Sequence, residues 1–327
     1  MKIYKDTITN RNEKFEKLVL KTQEEMKDYV SARLGNFGNV KRGDGYVYHK
    51  GTFPVLLCAH MDTVHKGRIN TLVYANGTLS SPQGIGGDDR CGIYMIFKIL
   101  KEYDCHVVFL EDEEIGCVGA KKFATSKICK ELKNEGLKYI IEFDRKGHNH
   151  AVTYDCDNKE FDDFITKEFF KKQFGTCSDI SYIAPELGIA AVNLSCGYYK
   201  EHNIEEWVNL KEMETVIVEA KKILERTTED LKPFEYIESK FKNNGYGYEY
   251  YDYDDYYYPS TYSYNRNKNK TNTTDTKKRY IFSYKYKGQA CILESNIYTS
   301  SYADAMYEFF KIHRDLKFEN LISVTEK

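Results

Sequence analysis

The chain has 327 residues, enough for one sizeable core and a small appendage. Its formal net charge of −2 gives no pull toward nucleic acid or a membrane surface, and no run approaches the roughly 18–20 apolar residues that span a bilayer. The start, Met1 to Asp6, lacks the features of a secretory signal, and nine cysteines without CxxC pairs, mostly in apolar runs (Cys58, Cys105, Cys196, Cys291), read as reduced thiols of a cytoplasmic protein.

From Asn12 to Leu34, Phe15, Leu18, Val19, Met26, Tyr29 and Val30 recur at helical spacing. A strand pair is expected next, Tyr46 to His49 and Val55 to Ala59, turning at Lys50-Gly51; the second strand is apolar throughout, as for a strand covered on both faces. Asn76-Gly77 marks a hairpin between Leu72–Tyr74 and Thr78-Leu79. Cys91 to Leu100 reads as a buried helix. His106 to Leu110, Tyr139 to Phe143 and Ile189 to Leu194 read as core strands. Asn209 opens a helix to about Leu224, with Glu212 placed for a capping box. Strands alternating with helices imply a three-layer α/β/α sandwich with a mixed, largely parallel central sheet.

The character changes near residue 231. Residues 1–230 form the expected main domain, and 231–278, rich in Tyr, Asn and Asp, reads as a flexible linker whose tyrosines offer a contact for a protein partner. Residues 279–327 suggest a ββα module: a hairpin from Arg279 to Ile297 about Lys287-Gly288, then a helix opened by Ser301-Tyr302-Ala303-Asp304.

Five acidic or histidine islands stand where strand-like runs end or a buried helix begins: His60-Met61-Asp62, Gly87-Asp88-Asp89, Glu113-Glu114, Asp144 and His202. Two histidines with surplus carboxylates are the mixed N/O donors that a pair of divalent cations takes. His60 and Asp62, two apart on a strand, point to one side, so Asp62 can take the second ring proton of a ligating histidine. Asp88 and Asp89 follow Gly84-Ile85-Gly86-Gly87, which permits tight backbone beside the carboxylates. Of two adjacent glutamates, one can hold metal while the other moves a proton. His65, His148 and His150 lie in loops and read as solvated residues.

These stretches resemble the co-catalytic di-zinc metallopeptidases and related amide hydrolases, a superfamily that includes peptidase T, bacterial aminopeptidases and acyl-amino-acid deacylases. The likeness runs over residues 15–226 through Cys58-Ala59-His60-Met61-Asp62-Thr63-Val64, Gly86-Gly87-Asp88-Asp89-Arg90-Cys91-Gly92, Asp112-Glu113-Glu114-Ile115-Gly116, Phe143-Asp144-Arg145 and His202-Asn203-Ile204-Glu205-Glu206. It implies a zinc-peptidase-like fold binding two Zn2+, with Co2+ or Mn2+ as substitutes. His60 and Asp144 would hold one ion, Glu114 and His202 the other, and Asp88 would bridge them across a cis Asp88–Asp89 peptide. Glu113 would be the general base and Asp62 the carboxylate behind His60, with a metal-bridged hydroxide attacking the carbonyl.

The chain departs from many relatives in having only 57 residues between Asp144 and His202 and 27 between His60 and Asp88, so it resembles a lidless catalytic domain. Oxyanion stabilisation then falls to Tyr198, Tyr199 or the Gly175–Asp179 stretch. The leading expectation is an aminopeptidase or other exopeptidase acting on small peptides. The same metals would also serve an N-acyl amino acid deacylase, because substrate choice lies in the pocket walls. A non-catalytic binding module using the tyrosine-rich tail is the third reading; it predicts a missing ligand or base, and none of these positions is missing.

Overall fold

The computed structural model describes residues 1–7, 9–239, 278–284, 293–299, 305, 309 and 321–326. Lys2–Lys5 forms β1. The amphipathic run that follows is two helices rather than one, α1 (Glu13–Val19) and α2 (Gln23–Leu34). Thr22 is the cause: its side chain accepts the Glu25 N–H while the Glu25 carboxylate accepts the Thr22 N–H, a full capping box that starts a new helix.

Then come β2 (Val40–Gly43), β3 (Tyr46–His49), β4 (Phe53–His60) and the hairpin β5 (Thr71–Ala75) to β6 (Thr78–Ser80). Asn76 and Gly77 both have positive φ there, as the Asn-Gly signal demands. Helix α3 (Gly87–Ile99) leads to β7 (Cys105–Leu110), the short helices α4 (Val118–Ala124) and α5 (Lys127–Leu132), and β8 (Tyr139–Arg145). After β9 (His150–Val152), α6 (Lys159–Ile165), β10 (Lys171–Lys172) and α7 (Ile180–Leu187) come β11 (Ala191–Ser195), β12 (Tyr198–Tyr199), β13 (Trp207–Asn209) and α8 (Leu210–Glu225).

The main sheet has the order β10-β9-β11-β8-β4-β7-β3-β2, and its four central strands, β11, β8, β4 and β7, are mutually parallel. The expected β3–β4 pair does not form. β7 lies between them, antiparallel to β3, because the turn at Gly51 and Thr52 crosses the start of β7 and hydrogen bonds to Asp104. Alternate residues of the central strands feed two cores. Leu57, Ala59, Val107, Phe109, Ile141 and Phe143 pack toward α1, α2, α3 and α8, whereas Leu56, Cys58, Val108, Leu110 and Ile140 pack toward α4, α5 and α7. These are the three layers that the apolar runs imply. A second sheet, β1-β5-β6-β13-β12, extends the first core.

The segment between His60 and Asp88 builds only the β5–β6 hairpin, and that between Asp144 and His202 only β9 to β12, so neither carries an inserted domain. No helix among the described residues is long and apolar enough to cross a membrane. The described cysteines are free thiols, Cys177 exposed and the others buried.

The main unit runs from Met1 to Ser239, nine residues past the expected boundary at 230. Phe234 packs against Tyr139, Phe161 and Phe164 with ring centroids 5.1–6.3 Å apart, and its carbonyl accepts the Ala190 N–H at 2.7 Å. Residues 235–239 continue with bridges to Ile189 and Cys156. The tyrosine-rich stretch 240–277, expected as a linker and partner contact, lies outside the described residues.

The second unit contains β14 (Lys278–Tyr284), β15 (Leu293–Thr299) and a third strand that the ββα expectation missed, β16 (Leu321–Glu326). β14 is the centre of an antiparallel sheet, and Phe282 stacks on Phe309 at 4.3 Å. Of the expected helix, Ala305 and Phe309 are helical and buried; the rest lies outside the described residues.

Two outcomes follow from this packing. A chain ending at Asp230 should be less stable to denaturant than one ending at Ser239 by about 2–3 kcal/mol, the scale of losing a partly buried aromatic and its backbone bonds; equal midpoints would contradict the extended boundary. Burial holds His106 at about 4, with its Nδ1 2.9 Å from the Tyr48 hydroxyl. The ring titrates near 6.5 when unfolded, so the unfolded chain takes the proton first. The contribution of His106 is therefore full above pH 6.5 and is lost as pH falls toward 4, by roughly 3 kcal/mol. His106→Asn should flatten the denaturant midpoint over that interval.

Candidate metal centre

The site lies at the carboxyl edge of the parallel strands, where open α/β sheets place ligands. His60 closes β4, Glu113 and Glu114 follow β7, and Asp144 lies near the end of β8. Asp88 comes from the entry to α3, where Asp88 and Asp89 are non-helical and the peptide between them is cis. His202, with positive φ, lies in the loop between β12 and β13.

Asp88 stands between the histidines. Its Oδ1 is 2.9 Å from His60 Nε2 and its Oδ2 is 3.2 Å from His202 Nε2. His60 Nε2 also approaches Asp144 Oδ1 at 3.3 Å, and His202 Nε2 approaches Glu114 Oε2 at 2.9 Å. Ligand atoms of His60, Asp88 and Glu114 lie within 4.8 Å of one another, and those of His60, Asp89 and Asp144 form a second such group. In that second group Asp89 is already engaged, accepting the His60 and Gly92 N–H groups at 3.3 and 2.8 Å. Among the described residues, Glu114 Oε1 is buried without a hydrogen-bond partner. An N/O donor set with an orphaned buried carboxylate oxygen fits divalent cations.

The electrostatics follow from crowding. Burial and the Asp144 charge push the Asp88 carboxyl up against the opposing pull of His202 and His60. Hydrogen bonds to Asp88 and Glu114 raise His202 to about 11, and despite burial the carboxylates raise His60 as well. A cation bound by either ring would have to displace the proton that these neighbours favour. Burial, reinforced by the Asp144, Asp88 and Glu114 charges, lifts Glu113 to about 7, and a Cys117 thiol 3.6 Å away faces its Oε1. Burial would raise Asp62 too, but His60 at 3.2 Å and the Glu113 and Glu114 N–H groups, each at 3.1 Å, hold it at about 2.

The glycine run is explained by contacts. A Cβ on Gly84 would fall 2.2 Å from the His65 ring, and one on Gly87 would meet Val208 at 2.7 Å and Tyr198 at 2.9 Å. His65, expected to be solvated, instead faces Glu206 Oε2 at 3.0 Å. Those two groups include none of His65, His148, His150 or His202, although His202 approaches Asp88 and Glu114.

Asn193 and Glu142 have no counterpart in the sequence reading, and Ser178 and Asp179, offered there within the Gly175–Asp179 stretch for oxyanion stabilisation, lie instead beside Asp144 and Glu142. Asn193 accepts the Asp144 N–H, and Ser178 Oγ lies 3.0 Å from Asp144 and 2.6 Å from Glu142. One hydroxyl proton cannot serve both carboxyls, and burial pushes Glu142 well above the carboxylate range, so Glu142 holds the second proton. Asp179, fully buried, is raised in the same way. The signal for Glu142 was an acid inside the apolar run Tyr139–Phe143. Of the oxyanion candidates, Tyr198 is buried and donates to Asp144 Oδ1 at 3.3 Å, while Tyr199 donates to Glu212 and stacks on Trp207.

No protein-family profile matches the sequence, and no curated protein matches it. Solved structures do share the fold. Aminopeptidase PepT from Bacillus cereus ATCC 10987 aligns with a TM-score of 0.53 at 16% identity, over 65% of this chain and 96% of that one. An aminopeptidase from the archaeon Desulfurococcus kamchatkensis gives 0.51 at 16% identity, over 66% and 94%. A tripeptidase from Staphylococcus aureus gives 0.50 at 14%, over 64% and 95%. About two thirds of this chain thus shares the fold of these aminopeptidase and tripeptidase structures.

Asp62→Asn keeps one acceptor but turns an amide NH2 toward the remaining N–H donors. With His60 as a ligand, as the resemblance implies, it should weaken binding of a divalent cation by about 10–100-fold, the usual cost of losing the partner behind a ligating histidine. Calorimetric titration of metal-free protein reads this, and unchanged affinity would mean that Asp62 only ties the Glu113–Glu114 loop in place.

Proposed function

We propose that the chain hydrolyses amide bonds of small peptides, most simply as an aminopeptidase or other exopeptidase, using two divalent cations at this centre. The observation that carries the reading is Asp88, whose two oxygens each face a different histidine. In this assignment His60 and Asp144 hold one cation, Glu114 and His202 the other, and Asp88 is shared. Bound there, such a pair supplies Lewis acidity toward a substrate carbonyl and acidifies water.

The protein groups divide the remaining work. Glu113 is the general base: partly buried, poised at about 7 and free of the histidine contacts that occupy its neighbours, it takes a proton from the attacking water near neutrality and returns it to the leaving amine. Asp62 fixes the His60 ring through Nδ1, leaving Nε2 turned toward Asp88 and Asp144. Tyr198, Ser178 and Asn193 fix the Asp144 carboxylate from three directions, so the ligand needs little reorganisation when a cation enters.

The test is metal analysis followed by a screen of aminoacyl, dipeptidyl and N-acyl amide substrates. Chelation should abolish turnover, and Zn2+, Co2+ or Mn2+ should restore it. Glu113→Gln is expected to retain metal and lose turnover by about 10²–10⁴-fold; full activity in that variant would remove Glu113 from the mechanism. Cleavage of N-acyl amino acids alone would move the assignment from peptidase to deacylase.

A further inference from the structure

Glu206 is almost completely buried, yet none of the chemistry above uses it. Its carboxylate faces the loop that delivers Asp88. Oε1 accepts the Asp88 N–H at 2.8 Å, and Oε2 accepts the Gly86 N–H at 2.9 Å with His65 Nε2 at 3.0 Å. Gly87 lies between these two amides, where an added Cβ would stand 3.1 Å from Glu206 Oε1. Both oxygens are therefore occupied by backbone of the very turn that carries the shared carboxylate.

The other end of the tie is the loop of His202. Glu206 stands four residues beyond that histidine, its own N–H bonded to the Asn203 carbonyl, and β13 begins at the next residue. β13 pairs with β6 through Trp207–Ser80 and Val208–Leu79 and with β12 through Tyr199–Trp207 and Tyr198–Val208, which fixes Glu206 at the start of that strand. The two candidate cation positions are not supported equally. His60 and Asp144 belong to neighbouring parallel strands, and the sheet sets their separation. The His202 side chain is 57% exposed on a loop where Lys200 and His202 both take positive φ. The reach of His202 to Asp88 therefore depends on what ties that loop to the Asp88 turn, and Glu206 makes that connection.

We infer that Glu206 is a positioning residue that clamps the Asp88 turn to the His202 loop and thereby sets the affinity of the second cation, the one held by Asp88, Glu114 and His202. This rests on the metal-centre reading. It makes the two cation steps respond differently to one substitution, which a general loosening of the fold does not do.

Metal-free full-length protein is titrated with Co2+, followed by visible absorption, and with Zn2+ by calorimetry, in wild type, Glu206→Gln and Glu206→Asp. The Gln variant keeps the shape but presents an NH2 to one of the amides; the Asp variant keeps the charge but falls short by one methylene. In both, the second binding step should weaken by about 10–100-fold, the scale for groups that orient metal ligands, while the first stays near its wild-type value. Gln should lose less than Asp where one amide contact survives. Melting of the metal-free proteins identifies a variant that has not folded, and the other variant then carries the test. Equal weakening of both steps, or no change in either, overturns the clamp with the metal centre intact. A wild-type chain that takes up no Co2+ or Zn2+ overturns the metal centre itself and the clamp with it.

Discussion

The organisation of this protein turns on the repulsion among carboxyl groups gathered at one edge of a parallel sheet. Asp62, Asp88, Glu113, Glu114 and Asp144 surround His60, with Glu142 and Asp179 buried beside them. Buried carboxylates at such spacing cannot all ionise without opposite charge. The chain compensates locally in three ways: burial that favours the neutral form of Glu142 and Asp179, backbone N–H groups directed at Asp62, Asp89 and Glu206, and carboxylate neighbours that raise both histidines. Divalent cations would complete the compensation where the histidines converge.

That constraint explains local features that otherwise look unrelated. α3 enters through non-helical Asp88 and Asp89, whose carboxyls turn toward different donors, Asp88 to the histidines and Asp89 back to the His60 and Gly92 amides. Glycines at 84 and 87 leave room for His65 and for the Tyr198–Val208 wall. Gly92 lets α3 lie directly on β8, where a Cβ would meet the Phe143 carbonyl at 2.1 Å. Close packing of α3 on the sheet brings Asp88 within reach of residues that end β4 and β8.

Much of this was legible in the linear chain where the pattern is local. Apolar runs ending in acids located β4, β7 and β8, and Asn76-Gly77 located its hairpin. Thr22 and Glu25 also spelled out a helix start, although the apolar spacing on either side hid it. Adjacency was harder. Tyr46–His49 and Val55–Ala59 are near in sequence, yet β7 separates them, since an apolar strand reports that it is covered and not by what. β16 and the Phe234–Ser239 segment escaped notice because each is short and pairs with partners distant in sequence.

By itself the sequence determined the donor inventory and its placement: two histidines and a surplus of carboxylates, in order, at the ends of strands that hydrophobicity alone identifies. That is local information, carried by residue type and period. Only the tertiary structure decided which oxygen meets which histidine, that Asp89 turns to backbone while Asp88 faces both rings, and that Glu206 joins two loops far apart in the chain. Those relations depend on strand order and on the angle at which α3 meets the sheet, and both arise from long-range packing that no window of the sequence contains.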